Sequence, residues 1–267
     1  MSALVAVTLG NSSAAATLAV DGDLGPVCRA PVGRLDDLTD LLARACPDCG
    51  GEAVALAVAS VNPPALEEFQ RLAARLGLAR PDVAGADFPI PIADRVERRA
   101  QVGTDRLLAC LAAYRRAGGA CVVVDCGTAT TVNAVSADGA LLGGAIFPGP
   151  ALMARALAQG TAQLPQVDAH PAGGVIGRNT REAILAGIER GWTGGVLTLV
   201  AETLEELGEG AALYLTGGGV AAVAPHVADF LGQGDDAAPD SPRCHIVPDL
   251  VLEGLVIAHR EWQTALA

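Results

Sequence analysis

Two stretches of the chain carry the same alternation of apolar and polar positions. In residues 122–141, VVVDCGTATTVNAVSADGAL, a β-branched run meets an acid and a small glycine turn, and a second apolar run leads to an Asp-Gly turn. This predicts a hairpin whose first loop approaches a phosphate, since Gly127 lets the backbone come close and Thr128, Thr130 and Thr131 offer hydroxyls. Residues 4–24, LVAVTLGNSSAAATLAVDGDL, repeat the pattern. Val5, Val7, Gly10, Asp21, Gly22 and Leu24 correspond to Val122, Val124, Gly127, Asp138, Gly139 and Leu141 at a constant spacing of 117 residues, with no gap. The chain reads as two copies of one module.

Around each hairpin the periodicity changes from two to that of a helix. Residues 3–9 and 14–20 read as paired strands and 35–45 as a helix, followed by a buried strand at 53–61 and an amphipathic helix at 64–76. Residues 89–99 hold prolines, then charges, and read as a loop. A helix at 107–117 stops at Gly118-Gly119. After the second hairpin come a helix at 151–159, a loop at 168–178, and a helix at 181–194 that resumes after a break and runs to 207. A strand at 212–215 ends on Thr216-Gly217-Gly218-Gly219, from which a helix starts at Val220. Residues 232–243 are a polar excursion and 250–266 a closing helix. Strands first and helices after, twice over, predict a duplicated α/β chain with domains near 1–118 and 119–267 and a cleft between the copies.

Composition narrows the classes. Half of the 267 residues are hydrophobic and 18% charged, which excludes disorder, and with 3% aromatics the core falls to Ala, Val and Leu. A net charge of −12 argues against nucleic acid or an anionic membrane as partner. Seven scattered cysteines read as reduced thiols in a cytoplasmic protein. Cys46 and Cys49, in CPDC, have metal-like spacing, but a zinc site needs about four ligands and no second pair accompanies them. Two free thiols in a loop is the simpler reading. No basic region precedes the first apolar run, and Gly10, Asn11, Ser12 and Ser13 interrupt it, so neither a secretory leader nor a membrane span is expected.

Two Gly-centred hairpin loops and a third Gly-rich turn at 216–219 suit a nucleotide, with phosphates on the paired loops and the adenine or ribose at the third. His170, His226, His245 and His259 show no ligand spacing. Cys110, Cys121 and Cys126 read as packing residues.

The runs GTDRLLACLAAYR, DCGTATTVNAV, GGAIFPGPALMARALAQGTAQLPQV and IGRNTREAILAGI, in this order, resemble type III pantothenate kinase, and the likeness spans most of the chain. It implies duplicated actin-like ATPase domains, ribonuclease H-like, as in the sugar kinases and heat-shock chaperones, with an interdomain nucleotide cleft. It implies phosphorylation of pantothenate to 4′-phosphopantothenate by ATP, the first step toward coenzyme A. A homodimer, a divalent cation such as Mg²⁺, and a monovalent cation, K⁺ or NH₄⁺, follow from the same resemblance.

Residue by residue, the resemblance makes Asp105 the general base, with helix capping by Thr104 or Asp105 as the structural alternative. It puts ATP on Thr8, Leu9, Gly10, Asn11, Ser12, Ser13, Ala14 and Ala15 of the first loop and on Thr128 of the second. It puts pantothenate against Val96, Gly103, Thr104, Asp105 and Arg106, where Arg106 clamps a carboxylate or phosphate. Thr180 would reach substrate from the partner subunit, or simply cap a helix. Asp125 would hold the monovalent cation, or else bond the amides of its own turn.

The chain departs from the family at four places. Thr8 stands where the family has the Asp that places metal and phosphates, and a hydroxyl brings no negative charge to a metal. Val96 replaces a pocket-lining Tyr, residues 97–101 lack an Asn-Pro pair, and Asn133 replaces a second Asp. Three readings stay open: an active pantothenate kinase in which Thr8 or Ser12 stands in for the missing Asp, a homologue that binds a nucleotide or partner as a regulator without turnover, and a kinase for another small hydroxy compound.

Overall fold

The chain is seen here as a computed structural model that describes residues 2–45, 54–168, 173–232 and 244–266. Its residues divide into two units, Met1–Arg116 with Asp249–Ala267, and Ala117–Pro248.

The first unit begins with β1 (Ala3–Leu9), β2 (Ser13–Val20), β3 (Asp23–Leu24) and β4 (Cys28–Pro31). After α1 (Thr39–Ala45) come β5 (Ala55–Ser60), α2 (Pro63–Arg75), β6 (Asp82–Val83), β7 (Ala93–Asp94) and α3 (Thr104–Ala117). Its sheet has the order β3-β2-β1-β5-β6, with β4 also on β2. β1 is antiparallel to β2 and parallel to β5. Val5, Val7, Leu9, Leu56 and Val58 bury one face against Leu35, Leu38, Phe69 and Leu72. Leu4, Ala6, Ala57 and Ala59 of the opposite face are buried too. Strands covered on both faces explain why β1 and β5 read as unbroken apolar runs.

The second unit holds β8 (Cys121–Cys126), β9 (Ala129–Val135), β10 (Ala140–Pro148), α4 (Pro150–Gly160), α5 (Thr180–Leu207), β11 (Ala212–Thr216), α6 (Val220–Phe230) and β12 (Cys244–Ile246). Within it the strands lie in the order β12-β11-β8-β9-β10. β8 is antiparallel to β9 and parallel to β11. Val122, Val124, Val132, Leu213 and Leu215 pack against Trp192, Val196 and Val200 of α5 and Val223 of α6.

The gapless repeat conceals a compensated difference. Thr8 pairs with Ala15 across the first loop, and Asp125 with Thr131 across the second, which is one residue shorter. At the far end, Asp21 and Gly22 (φ 50° and 99°) make a two-residue turn between the paired Val20 and Asp23. In the second copy Ser136 bonds Ala140 across three residues, with Gly139 at φ 84°. The longer turn restores the residue that the loop lacks.

Four expectations change. The last helix, α7 (Leu250–Leu266), joins the first unit, whereas the expected second domain ran to 267. The cause is packing: α7 lies on β1, β2 and β5, and a Cβ on Gly254 would stand 2.1 Å from the Leu108 carbonyl of α3. Arg116 and Arg115 then pair with Glu253 and Glu261 at 2.7 and 2.8 Å. α5 is one helix, without the break expected after 194, because burial of Trp192, Val196 and Val200 outweighs the low helix propensity of Gly194-Gly195. The first half of the helix expected at 35–45 belongs to a 3₁₀ turn, Val32–Leu38, with Arg34 out of helical geometry. The helix expected from 107 starts at Thr104. Cys46, Cys49, His170 and residues 233–243 lie outside the described residues. Among the described residues no helix is long and apolar enough to cross a membrane.

Candidate active site

The first unit gathers its candidate residues at one edge of its sheet. β1 and β5 run parallel, Thr8 beside Ala59 and Leu9 beside Ser60, so the Gly10 loop and the residues after Ser60 leave the sheet together. Such carboxyl ends of parallel strands are where α/β sheets bind ligands. The Gly10 amide donates to the Ser13 carbonyl at 2.9 Å, and a Cβ there would stand 3.1 Å from the same oxygen. Asn62 holds the loop from the other side. Its Nδ2 donates to the Gly10 carbonyl at 3.3 Å, while its Oδ1 caps α2 by accepting from Ala65 N at 3.2 Å. Leu9 and Ala14 are core residues, so only their backbone is open to a ligand at this loop. Asn11, Ser12 and Ser13 are exposed, and Thr8 and Ala15 half-buried.

Asp105 lies in the first turn of α3 at the same edge. The Thr104 hydroxyl donates to the Ser60 carbonyl at 3.1 Å and ties the helix start to the end of β5. Asp105 Oδ1 accepts from Arg106 N at 2.7 Å and would lie 2.4 Å from a Cβ on Gly103, so the carboxylate folds back over Gly103 and would have to move for any larger residue there. Burial raises the Asp105 carboxyl above the usual aspartate range, and the Arg106 amide and guanidinium charge pull it partly back. A half-buried, desolvated carboxylate at a ligand-binding edge is a competent base.

Before Gly103 lies the segment expected to line the pantothenate pocket, where Val96 is half-buried. Arg99 organises it, a role the sequence did not reveal. Its guanidinium donates to the Ile90 and Ile92 carbonyls, both at 2.7 Å, and to Asp94 Oδ2 at 2.5 Å. Arg106 is half-buried beside Asp105.

In the second unit Asp125, one residue before the end of β8, lies between Thr131 of β9 and Thr216 of β11. Gly217 has φ 91°, and a Cβ on it would stand 2.3 Å from Asp125 Oδ1 and 2.7 Å from Cys126 N. The carboxylate occupies the space that a side chain would need. Gly149 N donates to the Thr128 carbonyl at 3.0 Å and Gly219 N to the Cys126 carbonyl at 2.9 Å, so the second loop is bonded to the starts of α4 and α6. Asn133 is buried and donates from Nδ2 to Thr131 Oγ1 at 3.0 Å, supporting the loop from within the sheet. Burial, then the Asp125 charge, pushes the Cys126 thiol up to about 12, so it stays protonated as a packing residue.

Thr180 is the exposed first residue of α5. The cap itself is Asn179, whose Oδ1 accepts from Glu182 N at 2.9 Å, which corrects the reading of Thr180 as the N-cap. Among the described residues no three His, Cys, Asp or Glu side chains gather into a metal cage.

Residues 4–202 match the family model described as type III pantothenate kinase. The type III pantothenate kinase of Thermomicrobium roseum is 40% identical over 182 residues, 67% of this chain and 70% of that one. That of Dehalococcoides mccartyi is 34% identical over 259 residues, 94% of this chain and 93% of its own. In fold, the chain is similar to the activator of 2-hydroxyisocaproyl-CoA dehydratase from Clostridium difficile, solved with bound ADPNP. The TM-score is 0.54 at 11% identity, over 99% of this chain and 97% of the other.

Proposed function

The chain belongs to the type III pantothenate kinase family, a duplicated actin-like ATPase fold that phosphorylates pantothenate with ATP, and on that premise we propose how its residues divide the work. Asp105 accepts the proton of the pantothenate hydroxyl as its oxygen attacks the γ-phosphorus. One P–O bond forms, the bond to the β-phosphate oxygen breaks, and ADP leaves. The observation that carries this is the Asp105 carboxyl, raised by burial and anchored through Gly103 and Thr104 to the strand edge that also bears the Gly10 loop. A base raised by burial takes the proton more readily.

The backbone of the Gly10 loop and Thr128 hold the phosphates, and Val96, Gly103, Thr104 and Arg106 hold pantothenate. The nucleotide analogue in the Clostridium difficile protein supports an ATP site in this fold. Mg²⁺ is commonly held by phosphates and one or two carboxylates, which suits its arrival with ATP where no multi-carboxylate cage is present among the described residues. Asp125, a single carboxylate seated against Gly217, fits a monovalent cation, K⁺ or NH₄⁺. Bound there, that cation would offset phosphate charge.

The protein works as a cytoplasmic homodimer in which Thr180 of one protomer reaches the pantothenate of the other. Val175 and Ile176, 69% and 88% exposed just before Thr180, support a covered apolar surface at this place.

Purified protein with ATP, Mg²⁺, K⁺ and pantothenate is expected to form 4′-phosphopantothenate, followed by mass spectrometry, and to elute from gel filtration as a dimer. Failure to form it across a range of metals, while ATP still raises the melting temperature, would leave a nucleotide-binding homologue and sink the kinase reading.

A further inference from the structure

One buried side chain touches both nucleotide loops of the second unit without belonging to either. Trp192, on α5, is 2% exposed, and its indole Nε1 donates to Thr130 Oγ1 at 2.8 Å. Thr130 is fully buried and stands opposite Cys126 in the β8–β9 ladder, so this hydrogen bond holds the base of the Thr128 loop. The far end of the ring reaches the turn after β11. Cη2 lies 3.4 Å from where a Cβ of Gly219 would be, a point also only 3.1 Å from the Cys126 carbonyl. Gly219 N donates to that carbonyl at 2.9 Å. The ends of β8, β9 and β11 therefore meet around a single indole.

An apolar core residue of similar size would fill this space but would leave the Thr130 hydroxyl without the indole donor. Trp joins a rigid body to a directional N–H, the combination that fixes a separation rather than merely occupying volume. We propose that Trp192 is a positioning residue for the nucleotide: it sets the spacing between the Thr128 loop and the Gly217–Gly219 turn, and with it the affinity for ATP. Because the ring lies beneath both loops, its fluorescence reports their occupancy. This rests on the reading that ATP phosphates lie on the Thr128 loop.

The chain has two tryptophans, so Trp262→Phe leaves Trp192 as the sole indole emitter. Titration of that variant with magnesium and a non-hydrolysable ATP analogue is expected to change its emission saturably. Thr130→Val keeps the shape and removes the acceptor. It is expected to raise KM for ATP about tenfold, the effect of one lost hydrogen bond, and to leave KM for pantothenate within about twofold. Trp192→Phe acts in the same direction, and the double variant is no worse than the more affected single one, as two ends of one bond require. Thr130→Val alone decides the matter if Trp192→Phe does not fold. An unchanged KM for ATP in Thr130→Val overturns the proposal, as does Trp192 emission that ignores the analogue. If Thr128→Ala also leaves KM for ATP unchanged, the placement of the phosphates has failed, and the spacing role falls with it. If Thr128→Ala weakens ATP while Thr130→Val does not, the placement stands and Trp192 is only a core residue.

Discussion

Thr8 and Asp125 occupy the same place in the two copies of the hairpin, each one residue before the end of its first strand and two before the loop glycine, one neutral and one acidic. The second copy alone carries the carboxylate. A negative group in such a position acts on the metal and the transferring phosphate, and losing a comparable electrostatic group costs about 3 kcal/mol in the transition state. Thr8→Asp is therefore expected to raise kcat by about tenfold or more at saturating magnesium. Steady-state kinetics across magnesium concentrations check this. An unchanged or lower kcat would mean that the first loop is built to work through its amides and hydroxyl.

Asp105→Asn should separate catalysis from stability. With no base, kcat falls by about 10² to 10⁴, while ATP still protects against thermal unfolding. The folded carboxyl is raised above its unfolded value by burial, so its contribution to stability is present in full below about pH 3.9 and is lost as pH rises through the folded pKa. The amide variant, which never ionises, should melt higher than the parent at pH 7, and the difference should vanish in acid. A variant that melts lower at neutral pH would show that the carboxylate is a net stabiliser of α3.

Arg99→Ala removes the donor to Ile90, Ile92 and Asp94 and loosens the approach to Gly103. KM for pantothenate is expected to rise about tenfold and KM for ATP to stay within about twofold, the size of one to two lost hydrogen bonds to a charged group. Lysine in its place, with a point charge instead of a fork, should recover part of the loss. Equal effects on both KM values would mean a general loss of structure.

Gly217→Ala drives a methyl group into the Asp125 carboxylate in a backbone conformation that disfavours alanine. A loss of about 2 kcal/mol or more in denaturant unfolding is expected. Activation by potassium should weaken in whatever protein still folds. Retention of full potassium dependence would remove Asp125 from the cation site.

The hairpins were legible in the sequence because alternation and an Asp-Gly turn are local signals, and Gly10 and Gly127 marked the loops. Asp105 was singled out through its motif, whereas the lie of its carboxylate over Gly103 was not legible there. The hold of Asn62 on the Gly10 carbonyl was hidden, although Asn-Pro-Pro does signal a helix cap. Arg99 sat within a charged run that reads as solvated, since nothing local tells an arginine facing water from one gathering two carbonyls. The register difference between the copies cancelled within each hairpin and so left no gap to see. The continuity of α5 depends on side chains from other elements, which outweigh the two glycines.

The placement of α7 bears on how the protein is made. Residues up to 116 of the first unit precede the second unit in synthesis, yet Gly254 and His259, which reach Leu108 and Asp82, emerge from the ribosome only after the whole of the second unit. The second unit is one continuous stretch and has all of its residues before the first has received its closing helix. Nascent chains stalled short of residue 249 should therefore acquire protease resistance in the second unit first, and a premature stop codon there would disable the half that carries Asp105.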